Sequence, residues 1–223
     1  IQLGAILAVV ITFWKKMFSF QFKDKTQPII KKDTFSLWFK VVFACIPGAV
    51  ITILFDDYIE AHLHTPIVIA AALIFYGIAF IVIEIWNKKR LPTTSKLEDI
   101  TYRTAFLIGL FQVLSIIPGT SRSGATIIGA LLIGVSRVAA AEFTFFLAVP
   151  VMLGLSAIKI LKFGIYFTST ELLTLVIGMV VAFGVSVLVI KFLMEYVKKH
   201  DFKLFGWYRI VLGIAVLLVF AVR

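Results

Sequence analysis

Apolar runs of membrane-crossing length recur along this chain, separated by short polar loops. A helix needs about 20 mostly apolar residues to cross a hydrocarbon core about 30 Å thick. Runs over 35–55, 66–86, 139–161, 172–194 and 206–222 meet or approach that length, and a shorter one occupies 1–14. Inside lipid every backbone polar group needs an internal partner, so runs of this kind become helices. A mean hydropathy of +1.05 and a 61% share of hydrophobic residues agree, because an ordinary soluble domain is about half apolar. The 223 residues therefore predict a single integral membrane domain over 1–223. Its expected fold class is all-α and polytopic, with about six transmembrane helices.

The net charge of +10 does not indicate nucleic acid, because the basic residues sit in loops between the apolar runs. Trp14-Lys15-Lys16 and Asn87-Lys88-Lys89-Arg90 are boundaries of the kind that orient helices in a membrane. The lone cysteine, Cys45, lies in an apolar run and reads as a small buried hydrophobe. No cleavable signal peptide is visible. The start at Ile1, with a first run of only 14 residues, leads us to expect missing upstream sequence. Pro47-Gly48 predicts a kink, residues 56–60 an acidic loop leading to His62 and His64, and Ser95 with Glu98 a capping box.

The stretch 104–135 departs from this pattern. It has 14 mostly apolar residues, a polar turn, and 12 more, so neither half spans alone. Either one broken helix crosses once, or a re-entrant hairpin enters and leaves on one side. Lys and Arg number six in 15–32, none in 55–64, five in 87–103 and one at Arg137. Two more lie in 159–171, four in 191–204 and one at Arg223. A hairpin puts sixteen on one face and three on the other, whereas a single crossing gives fourteen and five. The hairpin gives the cleaner positive-inside asymmetry.

At the hairpin's turn stands Pro118-Gly119-Thr120-Ser121-Arg122-Ser123-Gly124. A charged side chain deep in a bilayer is costly and marks a functional site by default. Arg122 lies more than ten residues from either end of the stretch, too far to reach the interface by snorkelling. Ser121, Ser123, Thr120 and Thr126 supply hydroxyls, while Gly119 and Gly124 permit close backbone approach. The turn opens into a half-helix, Ala125–Val135, whose N-terminus carries partial positive charge. Arginine, hydroxyls and a helix N-terminus together make a phosphate site, and in lipid the phosphate belongs to a lipid. Gln112, about two helical turns earlier, is placed to face the same cavity.

Other polar residues read more plainly. Glu142 is expected to pair with Arg137 or cap the hairpin, and Glu84 to pair with Lys88 one turn on. His62 and His64 fit a solvated loop better than a metal site. No metal ligand set and no nucleophile–base arrangement can be read from this chain.

The nine residues Pro118 to Thr126 resemble the PGxSRSxxT motif of the bacterial undecaprenyl-diphosphate phosphatases, the bacitracin-resistance family. Ile1 to Val10, Tyr102-Arg103 through Gln112, Gly134-Val135-Ser136-Arg137 and Ala141-Glu142-Phe143 to Pro150 extend the similarity along the chain. The resemblance implies an inverted-repeat membrane fold with re-entrant hairpins, in the multi-pass bacterial cytoplasmic (inner) membrane. It implies hydrolysis of undecaprenyl diphosphate to the monophosphate carrier and phosphate for cell-wall synthesis, and with it bacitracin resistance. On this reading Arg122, Ser121 and Ser123 are catalytic, and Gly119, Thr120, Gly124, Thr126 and Gln112 bind substrate. A divalent metal, Mg or Ca, is expected from the family. Its acidic ExxxE pair and SSTGH-type turn have no copy here, so its ligands are expected outside this chain. The implied partners are undecaprenyl diphosphate and membrane lipid, with a homo-oligomer left open and no nucleic acid. A lipid-phosphate transporter or flippase built on the same arginine is the alternative, and a non-catalytic scaffold leaves Arg122 unexplained.

Overall fold

A computed structural model describes residues 1–18, 32–163 and 168–221. The expected lysine-rich loop before Lys32 lies mostly outside these residues. Among the described residues the secondary structure is helical, without a named strand. The helices are α1 (Gln2–Thr12), α2 (Trp14–Met17), α3 (Lys32–Leu63), α4 (Pro66–Asn87), α5 (Tyr102–Val113), α6 (Arg122–Leu132), α7 (Arg137–Phe163), α8 (Ser169–Lys199) and α9 (Lys203–Ala221). Five segments are long and apolar enough to cross a membrane, within α3, α4, α7, α8 and α9. The chain is an all-α, multi-pass membrane protein by these criteria.

The first apolar run forms an 11-residue helix, α1, followed by the four residues of α2. Two expectations are corrected. Residues 56–60, read as a loop, continue α3 as helix to Leu63; their acidic side chains lie outside the described set. The Ser95–Glu98 capping box does not form, because a short 3₁₀ turn begins at Leu97 with Lys96 before it. Ser95 instead accepts, through its carbonyl, a hydrogen bond from the Ser136 hydroxyl at 2.8 Å.

Two compact units emerge. One comprises 1–42 and 145–196, and the other 43–144 and 197–223. In the first, Gly4 packs directly on the backbone of Met179, where any Cβ would collide. Phe13 lies against Phe145 and Phe146, and the Trp38 indole donates to the Met17 carbonyl at 3.1 Å.

The second unit is held by close helix approach. Gly77 on α4 and Gly206 on α9 face one another so tightly that a Cβ on either would sit 2.7 Å from the other's carbonyl oxygen. Gly213 meets the Ala70 carbonyl in the same way, at 2.9 Å. Lipid supplies little hydrophobic drive between helices, so small residues that let backbones approach are what bring α4 and α9 together. The outer faces of this unit stay apolar and open, with Ile53, Ile67 and Leu218 exposed. That pattern suits a hydrocarbon solvent and not water.

Candidate active site

The stretch 102–132 folds back on itself. α5 starts at Thr101, whose hydroxyl accepts from the Thr104 N–H at 3.1 Å. It ends in a 3₁₀ turn over Leu114–Ile116, and the chain reverses through Ile117–Ser121 into α6. Gly129 on α6 lies flat against the Phe111 ring on α5, leaving no space for a side chain. The two ends are tied to one another as well. The N–H groups of Thr93 and Thr94 donate to the Gly134 carbonyl, and the Ser136 N–H donates to the Thr94 carbonyl. The approach to α5 and the departure from α6 therefore lie side by side. Helices of 12 and 11 residues reach only about 16–18 Å, short of a bilayer core.

The departure end is anchored by a buried carboxylate. Glu84, only 1% exposed, accepts from Arg137 Nε at 2.9 and 3.0 Å and from Arg137 Nη2, and from the Phe202 N–H at 3.1 Å. This overturns the expected pairing with Lys88. A single-turn neighbour was the nearest cation in sequence, but Glu84 faces inward, where Arg137 offers a two-point fork. The partner expected for Arg137, Glu142, is itself buried. Asn87 adds a bond from Nδ2 to the Leu131 carbonyl at 3.0 Å, closing the end of α6.

The turn combines two left-handed residues. Gly119 has φ of +90°, and a Cβ there would lie 2.5 Å from the Ile69 carbonyl oxygen. Ser121, a non-glycine residue at φ of +40°, stores strain of the kind that clusters at functional sites. Its hydroxyl caps α6 by accepting from the Gly124 N–H at 3.4 Å, and lies 3.2 Å from the Ser123 hydroxyl. α6 begins at Arg122, three residues earlier than its expected start at Ala125, and ends at Leu132. Arg122 and Ser123 thus occupy the first two helical positions, where backbone N–H groups have no intrahelical acceptor.

Exposure sorts the expected site residues into two groups. Ser121 and Ser123 are open and Arg122 is half-buried, so two exposed hydroxyls 3.2 Å apart flank the arginine in sequence at the start of α6. No acidic side chain among the described residues pairs with Arg122. Thr126, Thr120 and Gln112 are buried behind this point. The Thr126 hydroxyl is already engaged with the Arg122 and Ser123 carbonyls at 3.1 Å and with the Thr144 hydroxyl at 2.9 Å. Thr120 lies beside the Tyr76 phenol. The Gln112 amide nitrogen packs on Gly48, the glycine after Pro47, and its Oε1 has no partner among the described residues.

Sequence reasoning passed over Arg209. It sits in α9, only 8% exposed, and its Nη2 donates to the Gly119 carbonyl at 2.6 Å. The signal was present, since a lone arginine within an apolar run is as costly as Arg122. Metal ligands are another matter. Among the described residues, no group of three or more His, Cys, Asp or Glu side chains is placed to hold a metal. His62 and His64 are exposed near the end of α3. The residues described thus do not fit the divalent ion that the family resemblance implies.

Comparison with known proteins agrees with the hairpin motif. Residues 1–215 match the family model described as bacitracin resistance protein BacA. An undecaprenyl-diphosphatase from Enterococcus faecalis is 77% identical over 222 residues, covering all of this chain and 80% of that protein. One from Desulfitobacterium hafniense is 58% identical over 224 residues, again across the whole chain and 80% of the relative. One from Lachnoclostridium phytofermentans is 61% identical over 213 residues, 96% of this chain and 77% of the relative. With a full-length family match joined to an arginine-bearing hairpin turn, this chain belongs to the BacA bacitracin resistance family.

Proposed function

We propose that this chain hydrolyses undecaprenyl diphosphate at the α5–α6 turn, releasing inorganic phosphate and leaving undecaprenyl phosphate in the membrane. The family match and the relatives' shared activity support the reaction. The observation that carries the site is the left-handed turn at Gly119 and Ser121, which sets Arg122 at the head of α6 between two exposed serines whose hydroxyls lie 3.2 Å apart. The bacterial cytoplasmic membrane is the proposed location, where the substrate's polyprenyl tail can lie along the apolar outer faces.

Hydrolysis breaks the anhydride bond between the two phosphoryl groups. The terminal phosphorus takes oxygen from water, and the bridging oxygen leaves on the lipid monophosphate. Negative charge on the phosphoryl oxygens is the feature a protein can stabilise. Arg122 presents a planar fork to two non-bridging oxygens. Ser121 and Ser123 donate hydroxyl hydrogens beside it, and the first N–H groups of α6 point the same way. Fixed donors in a low-dielectric site stabilise such charge without reorganisation.

Gly119 and Gly124 permit close approach at this point, and the Thr126 hydroxyl holds the start of α6 through the Arg122 and Ser123 carbonyls, with Thr120 and Gln112 buried. No step is routed through a metal, because the described residues offer no ligand set. The test is phosphate release from undecaprenyl diphosphate by the membrane-reconstituted protein. A Ser121→Ala, Ser123→Ala double variant is expected to lose on the order of 10²-fold in kcat. Unchanged kcat would remove both hydroxyls from the site.

A further inference from the structure

Arg209 has no role in the reaction as described above, yet its position is hard to explain by stability. A guanidinium on a membrane-crossing helix is costly to bury. Among the described residues its Nε has no hydrogen-bond partner and no acidic side chain pairs with it. An arginine retained only to hold helices together would be expected to satisfy its donors. What it does make is one short bond, from Nη2 to the Gly119 carbonyl at 2.6 Å.

That carbonyl belongs to the residue on which the turn depends. Gly119 takes φ of +90° and Ser121 takes φ of +40°, and between them the chain reverses so that Ser121 caps α6. Without a donor the carbonyl would be left unpaired in the interior, and the turn would relax toward a conformation that satisfies it. Nη1 lies on the other side, at 3.1 Å from where a Cβ on Gly124 would stand. The guanidinium therefore bridges the two glycines that bracket Ser121, Arg122 and Ser123.

We propose that Arg209 is a positioning residue: from α9 it holds the Gly119 carbonyl, and so fixes the turn that presents Arg122, Ser121 and Ser123 to a phosphoryl group. It does not itself reach the ligand, being buried beneath the turn. The proposal rests on the reaction assigned to that turn in the preceding section.

The test uses the full-length enzyme, purified and reconstituted, with wild type, Arg122→Ala, Arg209→Met and Arg209→Lys compared. Misplacing reacting groups by about 1 Å costs on the order of 10²-fold in rate. Arg209→Met is therefore expected to lower kcat ten- to a hundred-fold with KM within about threefold, the split that marks interactions made in the transition state. Its melting temperature is expected to stay at or above wild type, because a poorly satisfied buried charge has gone. Arg209→Lys should recover part of kcat. Hydrogen exchange gives a readout independent of activity: amides of 119–124 should exchange faster in Arg209→Met, with 66–87 unchanged.

Wild-type kcat in Arg209→Met, or unaltered exchange at 119–124, overturns the proposal. Should the methionine variant fail to fold, Arg209→Gln, whose shorter side chain falls short of the Gly119 carbonyl, decides: a folded protein with wild-type kcat and exchange overturns it, and depressed kcat with loosened turn amides supports it. Inactive wild type, or active Arg122→Ala, instead overturns the assignment of the reaction to this turn, and the exchange result still judges Arg209.

Discussion

Arg122 and Arg209 are both guanidinium groups in apolar surroundings, but they are held differently. Arg209 is buried with Nη2 on a backbone carbonyl, whereas Arg122 is half-buried at the head of α6, between two exposed serines in the sequence. Only the second arrangement is open to an incoming anion, because Arg209 is buried. Gly119 decides whether that arrangement can exist. An alanine there would meet the Ile69 carbonyl at 2.5 Å and adopt φ of +90°. The left-handed conformation alone costs about 1–2 kcal/mol, and the contact adds to it because the obstacle is backbone. Gly119→Ala is therefore expected to lose most activity and to melt several degrees lower. A variant that melts and turns over like wild type would show that the turn can take another shape. Arg122 was legible because a charge in the middle of two short apolar halves has no bland explanation. Arg209 was equally visible in type, but its meaning depends on a carbonyl 90 residues away, which no local spacing reveals.

Among the elements, α5 and α6 carry the proposed site, and their pairing follows from physics the chain displays openly. Neither is long enough to cross, and Gly129 removes the side chain that would keep Phe111 at a distance. What the chain did not display is how the hairpin's end is fastened. Glu84 looked like a surface partner for Lys88, yet it is buried and gripped by Arg137, 53 residues later. Helical periodicity reports which residues share a face, not which face meets which neighbour. Glu84→Gln would remove the carboxylate that Arg137 grips, leaving the more distant Asp201, while keeping an acceptor for the Phe202 N–H. Breaking a buried pair costs about 3–5 kcal/mol. Arg137's side chain is 38% exposed, so water offsets part of that loss, and about 1–3 kcal/mol is expected. A lowered melting temperature in the purified variant checks this, and an unchanged one would mean the pair is not a fastening.

For the molecule as a whole, the loop charges and the hairpin make one joint statement about topology. Ser95 and Ser136 lie at the two ends of the hairpin and are hydrogen-bonded to one another, so they should face the same side of the membrane. His64 precedes α4 and should face the other side. In a Cys45→Ser background, single cysteines at Ser95 and Ser136 should react with a membrane-impermeant maleimide only from the positively charged face. A cysteine at His64 should react only from the opposite face. Labelling of Ser95 and Ser136 from opposite faces would mean that 104–135 crosses the membrane. Five of the expected crossings are present as long apolar helices. Length and hydropathy determine such helices almost unaided, which is why this level of the structure was the most legible. The division into two compact units was not, because it depends on contacts between segments far apart in the chain.

The central claim is that Arg122 binds the phosphoryl group that is cleaved, and its fork geometry makes the claim sharp. Phosphate release from undecaprenyl diphosphate should be measured for wild type, Arg122→Lys and Arg122→Ala in the same reconstituted membranes, with melting temperatures recorded for each. The account predicts folded proteins in all three cases. Arg122→Ala should fall by at least about 10³-fold in kcat/KM, as loss of an arginine that stabilises transferring phosphoryl charge does. Arg122→Lys should lie between, because it keeps the charge but not the two-point geometry. Phosphate release at the wild-type rate by a folded Arg122→Ala protein would contradict it.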